Sequence, residues 1–291
     1  MSRIIARSNP VVFKTQAIQV CASDDALSYL PVGSPMSFRE MHAKRRPISI
    51  DDPWNFEVTV ANLGVSVDIC LQWQGRSFHL LVRQDRQDMG DNVLKLLSGY
   101  VPAHELRVPL LTVMTEIAEE LLLEGSNGWL GGEYQGSWLP TPYSASLPLD
   151  PADAFSLKPV SGHTRPVFCG DLPLIERPRA YVHLPTNSLQ LVYHLCLELP
   201  DHCEKLSALH ADEALDAESG ELIARMDEQE PDLYLAELRD GRPTQQLYTL
   251  RKGVLIRQPT EGLRLSEALA EQTGWIIDAG GSSWPEGLSR L

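Results

Sequence analysis

From Leu110 to Glu124 the sequence reads LLTVMTEIAEELLLE, without a helix breaker, between Pro109 and Gly125. Proline suits the first turn of a helix, where its missing N–H costs nothing, and glycine suits the position just past a helix end. The bracket predicts a helix. At about 100° per residue, Glu119 falls about −60° and Glu120 about +40° from Glu116, so three carboxylates share one narrow face. Leu110, Met114, Ile117, Ala118 and Leu121 fall opposite, as the core stripe. Like charges three and four apart destabilise a helix by a few tenths of a kcal/mol per pair, and no lysine or arginine inside this one offsets them. A hard divalent cation would, since Mg²⁺ and Mn²⁺ take oxygen ligands. A solvated acidic surface is the plainer alternative.

The chain of 291 residues, 43% hydrophobic, is long enough for one large domain or two small ones. A formal charge of −14 repels phosphate backbones, so general nucleic-acid binding is not expected. A small anionic ligand is compatible with that charge if a metal and a few arginines neutralise it locally. Five cysteines, an odd count with no C-x-x-C pair, argue against a disulfide framework or a zinc ribbon. No G-x-x-x-x-G-K-[ST] occurs, so a P-loop is excluded. The start, MSRIIARSNPVVF, has no long apolar run after its charges, and no stretch reaches membrane-span length. The expectation is a cytoplasmic protein with no membrane partner.

Strand signals surround the helix. Val11–Val20 holds one or two strands, and Phe38–Arg46 reads as a short basic helix ending in Lys44, Arg45 and Arg46, a solvated face or an anion contact. Phe56–Val60 and Val65–Ile69 alternate, and the second runs on to Trp73. Gln74-Gly75-Arg76 is a hairpin turn, Phe78–Arg83 the return strand, and Val93–Leu97 a further strand. Residues 125–175 are rich in Gly, Pro and aromatics. They read as an ordered insertion in which Trp129, Tyr134, Trp138 and Tyr143 seek burial, or in which one ring stacks on a ligand. Strands return over 179–199. Turns at Arg239–Arg242 and Arg251–Gly253 and a helix over Leu265–Gln272 complete the chain. The expected organisation is an extension (1–55), a core (56–205, with the insertion 125–175) and a C-terminal α+β region (206–291).

The stretch Gly99–Glu105, followed by Thr115–Leu123, resembles the Nudix box, G-x5-E-x7-R-E-U-x-E-E-x-G-U with U aliphatic. Gly99 and Glu105 match G-x5-E. Glu116, Ile117, Glu119 and Glu120 match E-U-x-E-E, and Leu123 matches the last aliphatic. The order of strand, polar loop, strand, glycine turn and acidic helix agrees over about residues 56–125. Three features depart from the box: nine residues separate Glu105 from Thr115 instead of seven, Thr115 stands for the arginine, and Leu122 stands for the glycine. The resemblance implies an α/β fold, a Nudix-like mixed sheet flanked by helices. It implies Mg²⁺ or Mn²⁺ held by Glu116, Glu119, Glu120 and Glu105, with Glu119 or Glu120 as base. The implied reaction is hydrolysis of a diphosphate linkage in a nucleoside-diphosphate derivative. Glu105 is either a ligand or a brace.

Arg83, Arg86 and Lys95 lie where the resemblance places the ligand, so they are candidate phosphate contacts. Each also reads as an ordinary exposed strand or loop cation. Arg177 and Arg179 are weaker candidates of the same kind. His183 and His194 read as packed or hydrogen-bonded strand residues, and His104 as a neighbour of Glu105. Because the bracing half of the box is altered, two other readings stand beside the hydrolase. One is a sensor that binds a nucleotide or metabolite without turnover. The other is a protein-interaction scaffold using the aromatic insertion and the acidic surface. A homodimer is compatible with all three.

Overall fold

The structure, a computed structural model, describes residues 2–6, 14–86, 91–160, 165–215, 222–227, 229, 232–240, 242–269, 273–278 and 282–283. In chain order the N-terminal part holds β1 (Ser2–Ala6), β2 (Thr15–Ala22), β3 (Leu27–Met36), α1 (Phe38–Lys44) and β4 (Phe56–Val60). The middle holds β5 (Asn62–Trp73), β6 (Arg76–Arg86), β7 (Asp91–Lys95), β8 (Leu97–Tyr100), α2 (Leu110–Glu120), β9 (Leu121–Glu124), β10 (Trp129–Tyr134), β11 (Ser137–Trp138) and β12 (Leu149–Pro159). Then come β13 (Val167–Cys169), β14 (Leu172–Pro173), β15 (Arg179–His183), β16 (Ser188–Glu198), β17 (Ser207–His210), β18 (Asp212–Leu215) and β19 (Leu222–Asp227). The C-terminal strands are β20 (Leu233–Arg239), β21 (Arg242–Arg251), β22 (Val254–Gln258), β23 (Leu263–Leu265), β24 (Ile276–Ile277) and β25 (Ser282–Ser283).

The expected α/β architecture does not form. Among the described residues strand accounts for 56% and helix for 10%, with two α-helices of seven and eleven residues. The physical reason is in the connections. The turns at Gln74-Gly75, Asp240 and Lys252-Gly253 are tight, with left-handed residues, and they join antiparallel partners. A layered α/β fold needs a crossover helix between parallel neighbours. Here the parallel pair β5–β16 is joined by a long excursion containing one helix, and further strands cover the sheet faces that helices would cover.

Strand β5 is the axis of the largest sheet. One edge pairs in parallel with β16 from Asn62 to Leu71; the other pairs with β8 and then β6. Its alternation sorts two environments. Leu63, Val65, Val67, Ile69 and Leu71 enter the main core, together with Leu110, Val113 and Ile117 of α2 and with Ile18, Val20, Leu27 and Tyr29 of a second sheet. That second sheet runs β14-β13-β3-β2-β4. The opposite face carries Gly64, Ser66, Asp68 and Cys70, and it is partly covered by a smaller cluster containing Leu94, Tyr181, Leu265 and Leu269. The chain's far end closes on its beginning: the Trp275 indole donates to Ser23 O at 2.7 Å and its backbone N–H to Pro53 O at 2.8 Å.

Two expected elements end differently. Helix α2 stops at Glu120, and Leu121–Glu124 continues as β9. These leucines pair with Ser207–His210 of β17, and that tertiary ladder outweighs their helix propensity. Over Leu265–Gln272 there is no α-helix among the described residues. The strand β23 ends at Leu265 and a 3₁₀ turn follows over Glu267–Leu269; residues 270–272 lie outside the description. In the insertion, Trp129 and Tyr143 are buried and Tyr134 is half-buried, whereas Trp138 lies over Gly131 and stays 54% exposed.

Candidate functional site

Helix α2 presents the face its sequence implies. Leu110, Met114, Ile117 and Ala118 are buried, while Glu116, Glu119 and Glu120 are half-buried on the other side. The loop before it is pinned to it: Thr112 Oγ1 donates to Glu105 Oε2 at 2.7 Å, and His104 Nε2 lies 3.6 Å from Glu105 Oε1. Glu116 packs directly against Gly99, filling the place where a Cβ at 99 would stand. At the far end, Tyr143 Oη donates to Glu119 O at 2.9 Å and Ala211 N–H to Glu120 O at 2.9 Å. The Glu120 carboxylate lies 3.8 Å from His210 Nε2.

Three of the four candidate carboxylates thus meet different neighbours along the helix and its approach. Glu105 is engaged by the helix's own Thr112, Glu116 lies on β8, and Glu120 turns to β17. Among the described residues no three His, Cys, Asp or Glu side chains come close enough to share a metal ion. The described residues assemble no ready-made site for the Mg²⁺ or Mn²⁺ that the box resemblance implies, and no chemical step is derived through such an ion.

A second feature lies on the other side of the sheet. Gly99 is opposite Val65, on the core face, whereas Ser98 and Tyr100 are opposite Ser66 and Gly64, on the polar face. On that polar face a cleft of about 300 Å³ is lined by Arg45, Lys95, Gln84, Tyr100, His183 and Gln190, among others. None of its described lining residues is Asp or Glu, although the chain carries 39 acidic against 25 basic residues. Arg45 is held in place: Nη1 donates to Tyr100 Oη at 2.5 Å, Nε reaches Thr186 O at 3.5 Å, and the guanidinium sits 5.5 Å from the Tyr100 ring centre. Lys95 Nζ donates to Ser98 Oγ at 3.3 Å. Gly64 lets the Gln190 amide lie across the strand, where a side chain would collide with it. His183 Nδ1 meets Thr186 Oγ1 at 2.6 Å.

Further along this face, Asp68 sits between two imidazoles. His79 Nδ1 lies 2.5 Å from Oδ1 and His194 Nδ1 lies 3.2 Å from Oδ2. Burial by itself raises the Asp68 pKa, but the charge and hydrogen bonds of His79 and His194 outweigh it and bring the carboxyl down to about 2. Cys196 is in register with Cys70 next to this trio, and all five cysteines are free thiols.

The expected ligand contacts are divided by this geometry. Lys95 lines the cleft. Arg83 pairs with Asp232, Nη2 to Oδ1 at 3.0 Å, and does not line it. Arg86 ends β6, and its side chain lies outside the description. Arg179 is buried, donates to Ala268 O and stands over the Tyr181 ring at 5.7 Å. The residues that sequence reasoning passed over are Asp68 and Tyr100. The alternation of Ser66 and Asp68 between buried apolar positions was the available signal for a polar stripe inside the sheet. No helix is long and apolar enough to cross a membrane among the described residues.

No protein family matches the sequence, and no curated protein matches it. Among solved structures, a MutT/nudix family protein from Enterococcus faecalis is matched at 10% identity, over 78% of this chain and 62% of that one, with a TM-score of 0.25. The match therefore spans less than two thirds of that protein, and at this TM-score it establishes neither fold nor activity for the present chain.

Proposed function

We propose that this chain works by binding rather than by turnover, as a β-rich interaction module in a larger protein assembly. One observation carries the reading: large apolar side chains stand exposed on strands, two together at each of two places. Leu30 and Leu172, 54% and 56% exposed, flank the turn at Gly170 beside an open groove of about 420 Å³. Val254 and Ile256, 61% and 38% exposed, stand on the hairpin strand β22. Strand edges are templates for pairing, and proteins ordinarily guard them with charge, proline or bulges. Exposed aliphatics on ordered strands mark contact surfaces.

A second reading has its own support. The cleft, with a preset Arg45 and Lys95 and no acid among its described lining residues, suits a small diphosphate-bearing ligand, held for sensing or cleaved by a diphosphate hydrolase. One experiment separates the two. Phosphate or nucleoside monophosphate release is followed with Mg²⁺ and then Mn²⁺ over ADP-ribose, NADH, nucleotide sugars and nucleoside triphosphates, for the native chain and Glu120→Gln. A photo-crosslinking residue at 172 or 254 is tested in parallel against purified candidate partners, with a control at Glu133. The interaction reading expects no release and a discrete stoichiometric adduct from 172 or 254. Metal-dependent release that disappears in Glu120→Gln would overturn it.

A further inference from the structure

Resting on the interaction reading, we infer that β22 is a docking edge for an extended acidic segment of a partner protein, added to the sheet as one more antiparallel strand. Among the described residues β22 pairs on one side alone, with β21 from Arg251↔Val254 to Leu247↔Gln258. Its free side is not a frayed end. The turn that launches it is fixed at three points: Gly253 N–H donates to Leu206 O at 2.8 Å, Lys252 N–H to Ser207 Oγ at 2.9 Å, and Gln74 Nε2 to Gly253 O at 3.1 Å. Lys252 and Gly253 have φ of 46° and 81°, the paired left-handed conformations of a tight hairpin turn. A strand launched from so rigid a turn has already lost most of the entropy that strand addition would cost.

The chemistry of the edge selects the occupant. The segment RKGVLIRQ carries Arg251, Lys252 and Arg257 and no acid, in a chain whose formal charge is −14. On β20, one strand further into the sheet, Glu237 is buried and bound by Arg76 at 2.9 Å. Lys252 is exposed in the turn; along the strand exposed Val254 and Ile256 share one face, and Leu255 and exposed Arg257 alternate with them on the other. Main-chain pairing gives such a site its affinity, and the alternate side chains give it specificity. Two exposed aliphatics beside unneutralised cations fit a strand in which apolar residues alternate with Asp or Glu. A lysine-bearing strand would meet like charge.

The test uses the full chain and a fluorescein-labelled peptide of alternating glutamate and valine, with a lysine–valine counterpart. Fluorescence anisotropy should give saturable binding of the acidic peptide, weakened as salt rises, and at least about tenfold weaker binding of the lysine peptide. Val254→Lys and Ile256→Lys should each weaken the acidic peptide by about tenfold or more while leaving circular dichroism and Tm unchanged, since both side chains are exposed. Ile256→Thr provides a milder variant if either fails to fold. Hydrogen exchange should slow at Val254–Gln258 when the peptide is bound. No saturable binding, equal affinity for both peptides, or no effect of the β22 variants would overturn the docking edge. So would a homodimer that Val254→Lys dissolves, because a second copy would then be the occupant. Metal-dependent turnover would instead overturn the interaction reading on which this rests.

Discussion

His79 Nδ1 stands 2.5 Å from Asp68 Oδ1 across the β5–β6 pair, inside the sheet and within reach of His194 from β16. Three strands therefore meet at one carboxylate. A buried carboxylate without such partners costs several kcal/mol, so the trio is retained only if it stays complete. The folded pKa of Asp68, about 2, lies below that of an unfolded aspartate, about 3.9. Its stabilisation is thus fully present above about pH 4 and is lost as pH falls through about 2. Asp68→Asn should lower stability by about 3 kcal/mol near neutral pH. The gap to the native chain should narrow as pH falls below about 4. Urea midpoints at several pH values check this, and a gap that does not depend on pH would remove the charge of Asp68 as its cause.

Gly99 and Glu116 share one space. A methyl at 99 would strike the Glu116 carboxylate, which must then swing away from β8. Gly99→Ala should cost about 1–2 kcal/mol. Glu116→Ala should make the same change nearly neutral, so a double-mutant cycle should show coupling of about 1 kcal/mol. Additive effects in that cycle would mean that the two residues do not restrict each other.

At Gly253 the obstacle is backbone. A Cβ there would stand 2.6 Å from Glu204 O, at a φ of 81° that alanine rarely adopts. Gly253→Ala should destabilise by about 2–4 kcal/mol. It should also weaken peptide binding at β22 more than Gly262→Ala, which carries the same left-handed strain at a φ of 76° but whose added methyl meets nothing. Thermal melts and anisotropy together check this.

Mg²⁺ should do little for this protein. With Glu105, Glu116 and Glu120 in separate settings, about 5 mM Mg²⁺ should raise Tm by less than about 1 °C in the native chain and in Glu120→Gln alike, because a ligand bound weakly contributes little linkage energy. A rise of several degrees in the native chain that Glu120→Gln abolishes would show that the carboxylates gather round the ion.

Arg45 is the handle on the cleft. If a diphosphate ligand occupies that space, pyrophosphate or ADP should raise Tm in the native chain, and Arg45→Ala should reduce that rise by more than half. The substitution itself should cost about 1 kcal/mol through the lost bond to Tyr100. A ligand response unchanged in Arg45→Ala would place the ligand elsewhere.

Local patterns in the sequence were legible where local physics decides the outcome. Phe56–Val60 alternates and forms β4 within those bounds, and Gln74-Gly75 turns β5 into β6 with φ of 50° and 75°. The buried stripe of α2 follows directly from its spacing. What could not be read is what depends on distant partners. Leu121–Leu123 looks like a fourth helical turn until β17, more than eighty positions away, supplies a ladder for it. The three carboxylates share a helix face, but only the fold decides that Glu116 meets Gly99 while Glu120 turns to His210. Arg45 looked like one cation in a basic run, and Tyr100 gives it a fixed position. The helix-rich layering failed for a related reason: the resemblance implied flanking helices, but the residues that carry it lie in one helix and its approach, and strands cover the sheet elsewhere.

The bond from Trp275 to Ser23 spans 252 positions of sequence. A ribosome adding about 5–20 residues per second releases the first of these residues on the order of ten to fifty seconds before the second. Throughout that interval the N-terminal sheet lacks the indole that closes its edge, and Tyr29 and Leu27 wait beside a core not yet complete. A chain stopped before Trp275 would lack both bonds, to Ser23 O and to Pro53 O, that tie this late segment to the N-terminal one.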